Sequence, residues 1–96
     1  MIEVYRCVVR YEEWATGVIV EASLTDEGRE AGAPPPTLSP HGNSFISVGV
    51  HDDWTPDEFA RAVENAQKKV AKWCDDQNRA MAVARYFFEA LKVAPE

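Results

Sequence analysis

Apolar residues in this chain follow a two-residue rhythm in three short segments, then a helical rhythm that lasts almost to the C-terminus. The first segment, IEVYRCVVRY, is rich in Val, Ile and Tyr and predicts a strand. Ile2, Val4, Arg6 and Val8 take one face; Glu3, Tyr5, Cys7 and Val9 take the other. Both faces are largely apolar, which predicts a central place in a sheet. Glu12 and Glu13 separate this strand from WATGVIVEASL, where Trp14, Thr16, Val18, Val20, Ala22 and Leu24 line one face. Two strands so close in sequence predict an antiparallel hairpin over residues 1–24. A third strand, SFISVGVH, covers 44–51: Ile46, Val48 and Val50 belong to the core, while Phe45, Ser47, Gly49 and His51 face outward or toward a partner.

Between the second and third strands, residues 25–43 hold three glycines and four prolines, and Leu38 is their only bulky aliphatic residue. Helix and central strand are both disfavoured across the prolines, so this segment is expected to be a long connecting loop. Pro34, Pro35, Pro36 and Pro40 lack PxxP spacing, which argues against a ligand for proline-reading domains.

The stretch HDDWTPDEF marks the change from strand to helix. Thr55 suits the N-cap, Pro56 the first helical position and Glu58 the third, so TPDE reads as a capping box, with Trp54 and Phe59 spaced as a hydrophobic staple. Phe59, Ala62, Val63, Ala66, Val70, Trp73 and Cys74 then share a helical face. At Cys74–Asn78 two readings compete within the helical segment 55–93. Asp and Asn disfavour helix interiors, yet the apolar series through Gln77, Ala80, Ala84, Phe87 and Leu91 keeps its phase. One helix would span about 57 Å at the standard rise, long for a small chain. A tight turn there, making a helical hairpin, is therefore the expectation, with one long helix as the alternative. The fold class predicted is α+β: a three-stranded, mainly antiparallel sheet followed by a C-terminal α-helical hairpin, or one long helix, packed on one face of a single domain spanning 1–96.

Composition narrows the functional classes. The net charge is −6, with 11 acids against 3 bases in residues 1–60 and 5 against 7 in residues 61–96. That balance argues against non-specific binding to nucleic acid or acidic membranes. No stretch has the length and apolarity of a membrane span, and MIEVYRCVV lacks the basic start of a secretory signal, which predicts a cytoplasmic protein. Cys7 and Cys74 fit that compartment as reduced, buried thiols.

Catalytic signatures are missing: there is no P-loop, GxGxxG, HExxH or GxSxG. His51, Asp52 and Asp53, with His41, have the donor chemistry for a divalent metal, but neighbours at a strand end point in different directions. No metal, cofactor or catalytic residue is predicted. A small metal-dependent hydrolase around His51 and Asp53 stands as a lesser alternative. The helix opening TPDEFARAVENAQKKV, after three strands, resembles the HicB-like antitoxin half-barrel over that one helix, and no residues are carried over from it.

The expected function is that of a small acidic, non-catalytic protein-binding module that inhibits or regulates by occupying a partner's surface. A second alternative is an acidic inhibitor of nucleic-acid-acting machinery, of the anti-CRISPR or antitoxin kind made by phages and mobile elements. The expected partner-binding residues are Tyr11, Glu12, Glu13, Trp14, Asp26, Glu27, Glu30, Phe45, His51, Asp52 and Asp53, because exposed aromatics anchor interfaces and acids steer them. The apolar C-terminal segment, with Met81, Ala84, Phe88 and Leu91, is suited to a homodimer.

Overall fold

The computed structural model describes the backbone of residues 3–12, 17–38 and 42–93 and the side chains of 3–11, 17–38 and 42–85. Strands β1 (Tyr5–Glu12), β2 (Gly17–Leu24) and β3 (Phe45–Gly49) form one antiparallel sheet in the order β1-β2-β3. Val9 lies opposite Val20, and Val20 opposite Ile46, so the apolar sets of all three strands fall on one face. The exception is Val50, expected in the core, which lies past the end of β3 and is 46% exposed. That face packs on the long helix α2 (Pro56–Val93), where Val18, Val20, Ala22 and Val48 meet Ala66, Val70 and Cys74.

The central strand is β2, not β1 as its two apolar faces suggested. At the edge, β1 is covered in another way. Tyr5 tilts against Trp73 of α2, with ring centroids 4.9 Å apart, and its backbone pairs with Asn78. A helix side chain thus takes the place of a further strand.

The connection between β2 and β3 is more structured than its composition implies. It opens with a short helix, α1 (Asp26–Glu30), which ends before the first proline. The Thr25 hydroxyl accepts from the Gly28 N–H at 3.0 Å as its N-cap. At the other end, the Gly32 N–H donates to the Arg29 carbonyl and the Ala33 N–H to the Gly28 carbonyl. This Schellman pattern requires a left-handed residue, which Gly32 supplies with φ of 75°. The chain is then tied to the sheet: the Tyr5 hydroxyl donates to the Pro34 carbonyl at 2.7 Å, and Ala33 and Leu38 pack on the core. A loop tied at its start, along its length and at Leu38 is a strap across the end of the sheet.

In α2 the capping box forms as the sequence predicts. The Glu58 N–H donates to the Thr55 hydroxyl at 3.2 Å and the Thr55 N–H to the Glu58 carboxylate at 3.4 Å. Trp54 and Phe59 both pack against the core beside it. Thr55→Ala is expected to cost about 1 kcal/mol in a urea melt. A variant as stable as wild type would mean that the staple alone holds this helix start.

The expected break at Cys74–Asn78 does not occur; α2 is one helix of 38 residues. Ala66, Val70, Cys74 and Asn78 are spaced by four and all buried, so the sheet-facing stripe runs straight through the polar segment. Asp75 and Asp76 point to solvent, and Asp76 accepts from Lys72 one turn earlier at 2.8 Å. Each such residue costs about 0.7 kcal/mol of helix propensity. The three hydrogen bonds of Asn78 to Val4 and Tyr5, at the start of β1, outweigh that cost. A helix of this length, about 57 Å, outruns strands of eight residues, about 27 Å, so the end of α2 extends past the sheet.

Candidate functional site

The strand directions divide the sequence-predicted binding residues between two ends of the sheet. Tyr11 and Glu12 close β1 beside the start of β2, and Gly17 lies opposite Gly49, just before His51, Asp52 and Asp53. These five residues therefore share one end. Asp26, Glu27 and Glu30 follow β2 at the other end, where Phe45 opens β3. The separation is about 27 Å along the eight residues of β2. Glu13 and Trp14 lie outside the described residues, as do the side chains of Glu12, Phe88 and Leu91.

At the first end, Tyr11 is 80% exposed, and His51, Asp52 and Asp53 are exposed as well. The turn is held by the Trp54 N–H donating to the His51 carbonyl at 3.0 Å, and the His51 ring tilts on Trp54 with centroids 4.3 Å apart. His51 is thus placed by packing on an aromatic ring. Among the described residues, no group of three or more His, Cys, Asp and Glu side chains is arranged to hold a metal ion.

At the second end, several acids are already matched by arginines of the same chain. Asp26 pairs with Arg29 at 3.2 Å and Glu3 with Arg6 at 2.8 Å, and Arg85 lies beside Glu27 and Glu30. The acids here form local pairs and do not join those at the far end.

The sheet itself offers two surfaces. Arg6, Val8 and Arg10 of β1, Ile19, Glu21 and Ser23 of β2, and Phe45 and Ser47 of β3 share the face opposite α2. Arg10 and Glu21 form a diagonal ion pair of 3.1 Å on it. Val8 and Ile19 are half-buried there, and Phe45 is 42% exposed. None of these three belongs to the core that joins sheet and helix.

The second surface is a groove of about 370 Å³ between β3 and α2. Leu38 and Asn43 of the strap close one side, Phe45 and Ile46 a second, and Lys69, Val70 and Trp73 of α2 the third. Sequence reading assigned Val70 and Trp73 to the core and missed the groove, because only the strap's route brings Leu38 beside them. The one signal present was Leu38 itself, an isolated aliphatic residue in a polar segment.

Cys7 and Cys74 are both free thiols set toward the sheet–helix core. Burial pushes both upward, Cys74 from 9.0 to about 11, with Cys7 and Asp75 adding smaller repulsions. The folded state therefore keeps the Cys74 proton through a range in which the unfolded thiol has lost it. Stability is expected to be full below pH 9.0 and to fall as pH rises from there toward 11. Urea melts of wild type and Cys74→Ala across that range check this; equal slopes for the two proteins would refute it.

No known protein family, curated protein or solved structure matches the chain. No helix among the described residues is long and apolar enough to cross a membrane.

Proposed function

We propose that this protein is a small non-catalytic binding module that acts by occupying the surface of a partner protein. The observation that carries this reading is the one-sided cover of the sheet. Helix α2 packs on one face, while Val8, Ile19 and Phe45 share the opposite face, which no described element covers. Apolar residues on an uncovered face, rimmed by charges such as Arg6, Arg10 and Glu21, are the usual composition of an interaction surface. The acidic-inhibitor alternative draws less support, because the acids sit at two ends about 27 Å apart and Asp26 and Glu3 are matched by arginines.

Affinity capture from host lysate with wild type, Phe45→Glu and Tyr11→Ala tests the reading. A stoichiometric partner retained by wild type and lost with Phe45→Glu is the expected result. Retention at low salt but release at high salt, unaffected by Phe45→Glu, would favour the acidic inhibitor instead. A wild-type protein that retains no protein at any salt concentration would sink both.

A second reading concerns the end of α2. Val83 is 49% exposed and Ala84 and Arg85 follow it outward, where the helix has passed the sheet. We propose that Met81, Ala84, Phe88 and Leu91 pair with the same helix of a second copy. Sedimentation should then give a dimer that Leu91→Glu converts to monomer; a wild-type monomer at high concentration would exclude it.

A further inference from the structure

We infer that β3 is a docking edge for an extended peptide of the partner protein. The peptide adds as a fourth strand, seats an apolar side chain in the groove beside Ile46 and Val70, and offers a carboxylate to Lys69. This deepens the binding reading above and rests on it.

The argument starts from hydrogen-bond parity. The Ala22 N–H donates to the Ser44 carbonyl at 2.9 Å. In an antiparallel ladder that places the backbone groups of Ser44, Ile46 and Val48 toward β2, and those of Phe45, Ser47 and Gly49 toward the open edge. On the opposite edge the equivalent groups of Tyr5 are met by Asn78. Along β3, no described residue plays that part. Phe45, Ser47 and Gly49 are all exposed, and a Cβ built on Gly49 meets nothing within 4 Å. Unpaired N–H and C=O groups at alternate positions recognise one kind of ligand, another extended backbone.

The groove adds side-chain selection to that edge. A peptide strand lying beside β3 directs every second side chain toward α2. One of these enters the space between Leu38, Ile46, Val70 and Trp73, which is lined mainly by apolar groups. Lys69 stands at the same groove. Its neighbours Lys68 and Lys72 pair with Glu64 and Asp76, whereas no carboxylate among the described residues lies within ion-pair distance of Lys69. An apolar side chain for the groove and an acidic one for Lys69 must lie on the same face of the peptide. The motif is therefore an apolar residue and an acid two positions apart.

Selection of random octapeptides displayed on phage against the purified wild-type protein tests this. The expected result is enrichment of that spacing, with the synthetic consensus peptide binding in fluorescence anisotropy. Ser47→Pro deletes one outward N–H and leaves the β2 ladder intact. It and Lys69→Glu should each weaken binding about tenfold. N-methylation at alternate peptide residues should do the same on wild-type protein, which keeps the test valid even if the proline variant fails to fold. No enriched motif, or a consensus peptide indifferent to all three changes, overturns the inference. A peptide that is indifferent to them but lost on Ile19→Glu would leave the binding module standing and move its site to the open face. A wild-type dimer dissociated by Ser47→Pro would overturn the inference differently, by showing a second copy on β3.

Discussion

Asn78→Ala is expected to lower the unfolding free energy by about 2–4 kcal/mol, the largest loss from any single polar side chain here. Asn78 is buried within a helix, and its carboxamide serves three backbone groups at the start of β1, on Val4 and Tyr5. The Oδ1 atom accepts from the Val4 and Tyr5 N–H groups, each at 2.9 Å, and Nδ2 donates to the Tyr5 carbonyl at 3.1 Å. Truncation leaves all three without partners in a site largely closed to water, and each unmet buried group costs about 1–3 kcal/mol. Water reaching the strand edge recovers part of that sum. Asn78→Leu separates the causes: it improves helix propensity and keeps the volume, yet should also destabilise, because the backbone groups stay unmet. Urea melts measure the loss, and hydrogen exchange at Tyr5 should accelerate before the rest of the sheet. A loss below about 1 kcal/mol in both variants would show that water replaces the carboxamide and that Asn78 is not what anchors the edge.

Gly28→Ala should be nearly as damaging, at about 1–3 kcal/mol, although alanine is the better helix former by about 1 kcal/mol. A Cβ at Gly28 would lie 2.5 Å from the Val4 carbonyl oxygen and 2.8 Å from Val4 Cγ1. The first of these is backbone and is engaged by the Thr25 N–H at 2.9 Å, so α1 must lift away from β1 to admit the methyl group. The Thr25 hydroxyl, which bonds to the carbonyls of Glu3 and Val4 and caps α1, would move with it. Gly49→Ala is the matched control. Nothing lies within 4 Å of its Cβ and its φ is not positive, so it should be neutral or stabilise by up to about 1 kcal/mol through the unfolded chain. Equal effects at the two positions would mean that α1 is not seated on Val4 at all.

Both predictions concern contacts between segments more than 20 residues apart, and both were invisible in the sequence for one reason. Gly28 looked like part of a Pro- and Gly-rich connection, and Asn78 like a helix breaker, because local propensity scores a residue against its neighbours in sequence. What decides them is Val4, the residue just before β1. The groove was hidden in the same way, since Leu38 and Trp73 come together only when the strap crosses the end of the sheet.

Several features were legible locally. Alternation in VIVEASL and FISVG set strands β2 and β3 and, Val50 apart, which residues face α2. TPDE with Trp54 and Phe59 set the start of α2 to the residue, since each partner of a capping box lies within one turn of the other. The antiparallel hairpin followed from the short separation of its strands. Those are the things this sequence determined alone: element types, faces and the helix start, all governed by interactions within a few residues. The order of strands, the unbroken course of α2, the helix inside the connection and the groove beside β3 were decided by tertiary structure. Each depends on a buried polar or steric partner supplied from far along the chain, whose position exists only once the sheet and helix have packed.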